Sequence, residues 1–143
     1  MIWVVDTCVL IDILKADPTF SKKSSQALQS KMDDVLEIAP ITYVELAPAF
    51  KGDVAAQNEF LDALWIRCDF GENRDAVLAA HRSWYAHVLR KRAGMDYKRP
   101  VTDVMIGAYA LSKGGIITRN EADFRTLYPT LEIFNPAAIN LDN

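Results

Sequence analysis

Asp6, Glu45, Asp103 and Asp123 are the residues of this chain whose types and placement could do chemistry together. Each stands at a joint. Asp6 closes the apolar run Ile2-Trp3-Val4-Val5, and Glu45 follows the stretch Leu36 to Ile41 by one helical turn. Asp103 opens a helix-like segment just after Pro100, and Asp123 comes a few residues after Ile116-Ile117-Thr118. In an open parallel sheet the carboxyl ends of the strands share one edge, and ligands bind there. Acids gathered on that edge would repel one another unless a cation sat among them. A divalent metal is the economical cation, and metal with carboxylates points to phosphate chemistry. Taken singly, each acid has a plainer explanation: Asp6 as a helix cap, Glu45 as the partner of Thr42 in a capping box, Asp103 as a first-turn acid and Asp123 as a loop acid. Only the joint pattern lifts them.

The elements that must position these acids follow from hydrophobic patterning. Ile2 to Asp6 is a continuous apolar run closed by a polar residue, the pattern of a buried strand, and Thr7 to Leu14 starts a helix at once. Ser21 to Met32 is a second helix, and Val35 to Ala39 a strand ended by Pro40. Thr42 is the expected N-cap of a helix carrying Glu45 on its first turn. Asp53 to Ala63 is helical and Trp65 to Cys68 a short strand. Asp75 to Arg92 is the longest helix; Val77, His81, Trp84 and Val88 recur on one face and predict its buried side, with Gly94 ending it. Ala93 to Pro100 reads as a basic loop, Thr102 to Lys113 as a helix stopped by Gly114-Gly115, and Ile116 to Thr118 and Leu131 to Phe134 as strands. Strands separated by helices imply βαβ units, hence an α/β fold with a mainly parallel sheet and right-handed crossovers.

The 143 residues favour one domain spanning the chain. Half are hydrophobic and 24% charged, which excludes a low-complexity or strongly charged disordered chain. No apolar run approaches a membrane span, and Met1 leads straight into a strand, so neither a membrane anchor nor a signal peptide is expected and the cytoplasm is the expected compartment. Cys8 and Cys68, in no metal-ligand spacing, read as reduced thiols. The net charge of −3 does not advertise nucleic acid, yet between His81 and Arg99 six basic residues face one acid, Asp96. Arg90, Arg92, Lys98 and Arg99 in that stretch are candidates for a phosphate backbone; a solvated helix end, with cations complementing the dipole, accounts for Arg90 to Arg92 equally well.

The motifs Asp6-Thr7-Cys8-Val9-Leu10-Ile11-Asp12, Ile41-Thr42-Tyr43-Val44-Glu45-Leu46, Pro100-Val101-Thr102-Asp103 and Thr118-Arg119-Asn120-Glu121-Ala122-Asp123-Phe124 occur in this order over nearly the whole chain. In order and spacing the chain resembles the PIN-domain ribonucleases, and among them the VapC-type toxins of prokaryotic toxin–antitoxin pairs. The resemblance implies an α/β/α sandwich around a parallel sheet and metal-dependent endonucleolytic cleavage of RNA with Mg²⁺ or Mn²⁺. It carries the family's metal-site acids onto Asp6, Glu45, Asp103 and Asp123, and matches Thr118 and Asn120 to the last motif. Cys8 stands where many relatives carry Ser or Asn, with Thr7 supplying a nearby hydroxyl. Mg²⁺ takes few direct carboxylates and keeps its waters, so Asp6 and Asp103 are expected to touch the ion, and Glu45 and Asp123 to act through water or on a second ion. The resemblance also implies a cognate antitoxin and a homodimer.

Two other functions are open to such a sequence. A PIN-like module could bind RNA or protein without catalysis, though all four acids are present. A phosphoacceptor signalling domain would want an acidic pair after the first strand and a Lys near the last; Asp6 lies between Val5 and Thr7, and no Lys follows Gly115. Among the remaining polar and aromatic residues, Asp12 reads as a solvated helix position, His81 as a core or interface histidine and His87 as a surface one. Trp65, Trp84 and Tyr85 read as core or interface rather than base-stacking platforms.

Overall fold

Five short strands form one parallel sheet: β1 (Ile2–Val5), β2 (Val35–Ile38), β3 (Ile66–Cys68), β4 (Gly114–Ile117) and β5 (Glu132–Phe134), in the spatial order β3-β2-β1-β4-β5. The structure is a computed structural model and describes residues 1–71, 73–94 and 101–141. The helices are α1 (Thr7–Leu14), α2 (Ser21–Ser30), α3 (Pro40–Glu45), α4 (Val54–Ala63), α5 (Arg74–Arg92), α6 (Val101–Lys113) and α7 (Glu121–Leu127). Alternate strand residues feed two cores, as the two-residue period of a strand requires. Trp3, Val5, Leu36, Ile38 and Ile117 meet α1, α2 and α4 on one face, while Val4 and Ile116 meet α6 and α7 on the other. The result is a three-layer α/β/α sandwich.

From β1 the chain winds outward to β2 and β3, then returns to β4 on the opposite flank of β1. The crevice between the carboxyl ends of β1 and β4 is therefore the switch point at which open sheets bind ligands. α6 runs directly into β4, Lys113 preceding Gly114, so it lies antiparallel to the strands and begins at their carboxyl edge.

Several local expectations are corrected. Gly114 and Gly115 do not separate α6 from β4; they are its first two residues, paired with Ile2 and Trp3 of β1. A Cβ on Gly115 would lie 2.7 Å from the Trp3 ring and one on Gly114 2.7 Å from the Ile2 carbonyl oxygen, so close packing demands glycine at both. α3 begins at Pro40, not after Thr42, because proline's fixed φ suits a first helical turn. Thr42 is thus buried inside the helix and Glu45 ends it, which removes the capping-box explanation of that acid.

α5 buries a different face from the one its large residues suggest. Asn73 Nδ2 donates to Ser112 Oγ at 2.8 Å, tying the start of α5 to the end of α6, and the two helices pack antiparallel. Ala76, Ala80, Ser83 and His87 turn inward, while Val77 is 65% exposed and Trp84 also stands in solvent. Small side chains let the helix axes approach, and this outweighs burying the larger ones one position along. His87 is accordingly buried beside the Trp84 ring, not on the surface, and His81 is exposed, which removes the core reading of that residue. Trp65 and Tyr85 are exposed too, so neither is a core residue.

Candidate active site

β1 ends in Asp6, whose backbone N–H continues the sheet by donating to the Ile117 carbonyl of β4 at 2.9 Å. Asp6 is also the N-cap residue of α1, but its side chain makes no capping bond. The carboxylate turns instead to the crevice. Thr118 Oγ1 donates to Asp6 Oδ2 at 2.7 Å, and the Cys8 thiol donates to the same oxygen at 3.3 Å. Only 3% of Asp6 is exposed. Burial pushes its carboxyl above the usual range; hydrogen bonds from Thr118, Cys8 and the Thr7 backbone, with the Arg119 charge, pull it down without prevailing. Burial, with the neighbouring Asp6 charge, pushes Cys8 up to about 12, so the thiol keeps its proton and remains a donor.

Glu45 reaches the same crevice from α3. Thr7 Oγ1 donates to Glu45 Oε1 at 2.8 Å and stands 3.0 Å from Thr42 Oγ1. Thr7 and Thr42 thus link the end of β1 to the end of α3. Asp103 occupies the first turn of α6 and Asp123 the first turn of α7, both half-buried at helix starts on the carboxyl edge. Asp123 is therefore a helix residue, not a loop acid. Asn120 contributes its backbone: its N–H donates to Thr118 Oγ1 at 3.0 Å, fixing the hydroxyl that holds Asp6.

The donors gathered here are carboxylates and hydroxyls, the oxygen ligands that a hard divalent cation takes. Among the described residues no three His, Cys, Asp or Glu side chains stand together as one metal-holding group. A Mg²⁺ site does not require three, since one or two carboxylates with water complete its octahedron.

One expectation about this neighbourhood fails. Asp12 is not solvated: it is buried and paired with Arg119, whose Nη2 donates to Oδ1 at 2.9 Å while Nε donates to Oδ2. The spacing of six from Asp6 gave no hint of this, because the partner lies across the crevice at the end of β4.

Of the basic candidates, Lys98 and Arg99 lie outside the described residues. Arg90 and Arg92 lie in the last turn of α5. Arg92 is exposed there and Arg90 half-buried. On the outer side, Ile41, Phe70, Val77, His81, Trp84 and Met105 line an apolar cavity of about 440 Å³.

A second charged cluster, absent from the sequence expectations, lies deeper. Glu37 on β2 is fully buried. It accepts from Arg67 Nε at 2.8 Å and from the Tyr109 hydroxyl, with Lys113 Nζ at 3.3 Å. Burial would raise its pKa, but the bonds from Tyr109, Arg67 and Lys113 outweigh it and hold the carboxyl below the usual range.

Comparisons with known proteins bear on the fold. No curated protein matches the sequence. Solved structures that share the fold include the following three. VapBC2 from Rickettsia felis, bound to a DNA fragment from its promoter, superposes with a TM-score of 0.67 at 16% identity, over 94% of this chain and 98% of that one. VapBC-1 from nontypeable Haemophilus influenzae gives 0.67 at 20% identity, over 95% and 98%. FitAB bound to a DNA fragment gives 0.69 at 18% identity, over the full length of both chains. The PIN domain model matches residues 3–128, so the chain belongs to the PIN domain family.

Proposed function

We propose that this protein is a metal-dependent endoribonuclease and the toxin of a toxin–antitoxin pair, working in the cytoplasm. The observation that carries the reading is the Asp6 carboxylate, buried at the switch point, released from helix capping and hydrogen-bonded, among the described residues, by neutral donors alone. Such a group needs a cation to be stable as an anion. Asp6 and Asp103 would hold Mg²⁺ or Mn²⁺, with Glu45 and Asp123 acting through water or on a second ion. When bound, the ion would supply an activated water and charge for the phosphorane-like transition state.

This chain's own residues have separate tasks. Thr118 and Cys8 orient Asp6, Thr7 orients Glu45, and a carboxylate of the site accepts the proton of the attacking water. Arg90 and Arg92 at the end of α5 are the proposed contacts to the RNA backbone, and Lys98 and Arg99 remain candidates from the sequence. The DNA in the VapBC2 and FitAB complexes is held by an assembly with a second protein, so it does not argue against RNA as the substrate of this chain. The same neighbours support an antitoxin partner for this chain.

The apolar outer face of α5 supports a homodimer. In an antiparallel pairing, Asp75 at the start of one α5 would meet Arg90 to Arg92 at the end of the other. The size of the purified chain in solution checks this.

The deciding experiment incubates purified protein with total RNA, with and without excess EDTA, and sequences the new RNA ends. Defined ends that appear only with Mg²⁺ or Mn²⁺ are expected. Cleavage undiminished by EDTA sinks the reading, and RNA binding with no cleavage in any metal favours a non-catalytic module.

A further inference from the structure

Arg119 is a cation beside the carboxylate site. It directly follows Thr118, whose hydroxyl holds Asp6, and its backbone hydrogen-bonds Cys8 while its charge acts on Asp6. A guanidinium there could satisfy Asp6 directly, forming the forked pair that carboxylates and arginines favour. It does not. The side chain crosses to α1, forks onto Asp12 and stacks over the Phe20 ring, with its central carbon 4.1 Å from the ring centre.

Asp12 is built to receive it. The residue is buried, and Ser24 Oγ of α2 donates to the same Oδ2 at 3.4 Å. Breaking a buried pair by removing one partner costs far more than removing both, so the arrangement is closed on itself. Its net effect at the neighbouring site is electrostatic. With Arg119 engaged by Asp12, Asp6 has no cation in hydrogen-bond contact among the described residues, and that place is open to a soluble one.

We propose that Asp12 is a positioning residue that acts through Arg119: it parks the guanidinium away from Asp6 and so keeps the site available to a divalent cation. The idea rests on the metal-dependent reading above. It assigns a role to a residue outside the four acids, and its logic is competitive. Without Asp12, Arg119 is free to turn to Asp6, on which its charge already acts, or to Asp17, and on Asp6 it occupies the site as an internal counter-ion.

A merely structural pair predicts a different pattern. If the ion pair only staples the turn 118–120 to α1, then losing both partners is at least as harmful as losing one. If Asp12 parks Arg119, removing Arg119 as well restores the site.

The test measures Mn²⁺ binding to the purified, full-length protein by electron paramagnetic resonance, with thermal unfolding as the fold check. Four proteins are compared: wild type, Asp6→Asn, Asp12→Asn and the double variant Asp12→Asn/Arg119→Gln. Asp12→Asn is expected to weaken Mn²⁺ binding about tenfold, and the double variant to return to within about threefold of wild type. Should Asp12→Asn not fold, Asp12→Ser takes its place. Binding by Asp12→Asn at the wild-type level overturns the proposal, as does a double variant no better than the single one. If wild type binds Mn²⁺ no more tightly than Asp6→Asn, the metal reading itself fails and takes this proposal with it, which separates the two failures.

Discussion

Glu37 and Asp6 are both buried carboxylates, Glu37 on β2 and Asp6 at the end of the adjacent β1. Glu37 sits mid-strand on β2, facing α6, and is met by Arg67, Lys113 and the Tyr109 hydroxyl. Its surroundings hold it ionised. Asp6 sits at a strand end and is met by a threonine hydroxyl, a thiol and a backbone N–H. Its surroundings resist ionisation. The difference is the sign of the local compensation: where the protein supplies its own cations the acid is a structural tie, and where it does not the acid is the proposed place for one from solution.

The comparison breaks most readily on activity. Asp6→Asn should reduce RNA cleavage by at least about a hundredfold, since it removes an oxygen ligand at the reacting centre, while Glu37→Gln should leave the rate per folded molecule within a few-fold. Steady-state cleavage by matched amounts of folded protein measures this. Comparable losses from both variants would erase the distinction.

Stability should move the opposite way. Glu37→Ala leaves Arg67 and Lys113 facing an empty site and should cost about 3 kcal/mol, read by urea unfolding. Asp6→Asn, in chelator at neutral pH, should raise stability. The signs follow from the shifts. Asp6, with its folded pKa raised from 3.8, contributes stability at low pH that is lost as pH rises through the folded value. Glu37, with its folded pKa lowered from 4.5, contributes stability above that value that is lost as pH falls through the folded one. A neutral-pH destabilisation by Asp6→Asn would contradict this account.

The smallest effect belongs to the basic end of α5. Arg92→Ala should weaken RNA binding a few-fold and reduce the slope of log K against log salt by about 0.7, the contribution of one single-strand phosphate contact. A salt slope equal to wild type removes Arg92 from the interface.

What could be read from the sequence was whatever depends on near neighbours in the chain. Asp6, Glu45, Asp103 and Asp123 each follow an apolar stretch or open a helix, and the order of strands and helices implied the parallel sheet whose carboxyl edge collects them. That step needed only the periods of 2 and 3.6 residues and the chirality of crossovers. Tertiary structure alone decided the rest. The large residues Val77 and Trp84 marked one face of α5, but the approach of α6 favoured the small stripe through Ala76, Ala80 and Ser83, reversing His81 and His87. Gly114 and Gly115 looked like a helix stop until Trp3 and Ile2 were placed against them. Asp12 and Arg119 are 107 positions apart, and Glu37 and Lys113 also meet across the fold, so no local pattern could pair them. A sequence tells which groups are charged and where the chain turns; which charges are answered from within depends on which surfaces the folded layers bring into contact.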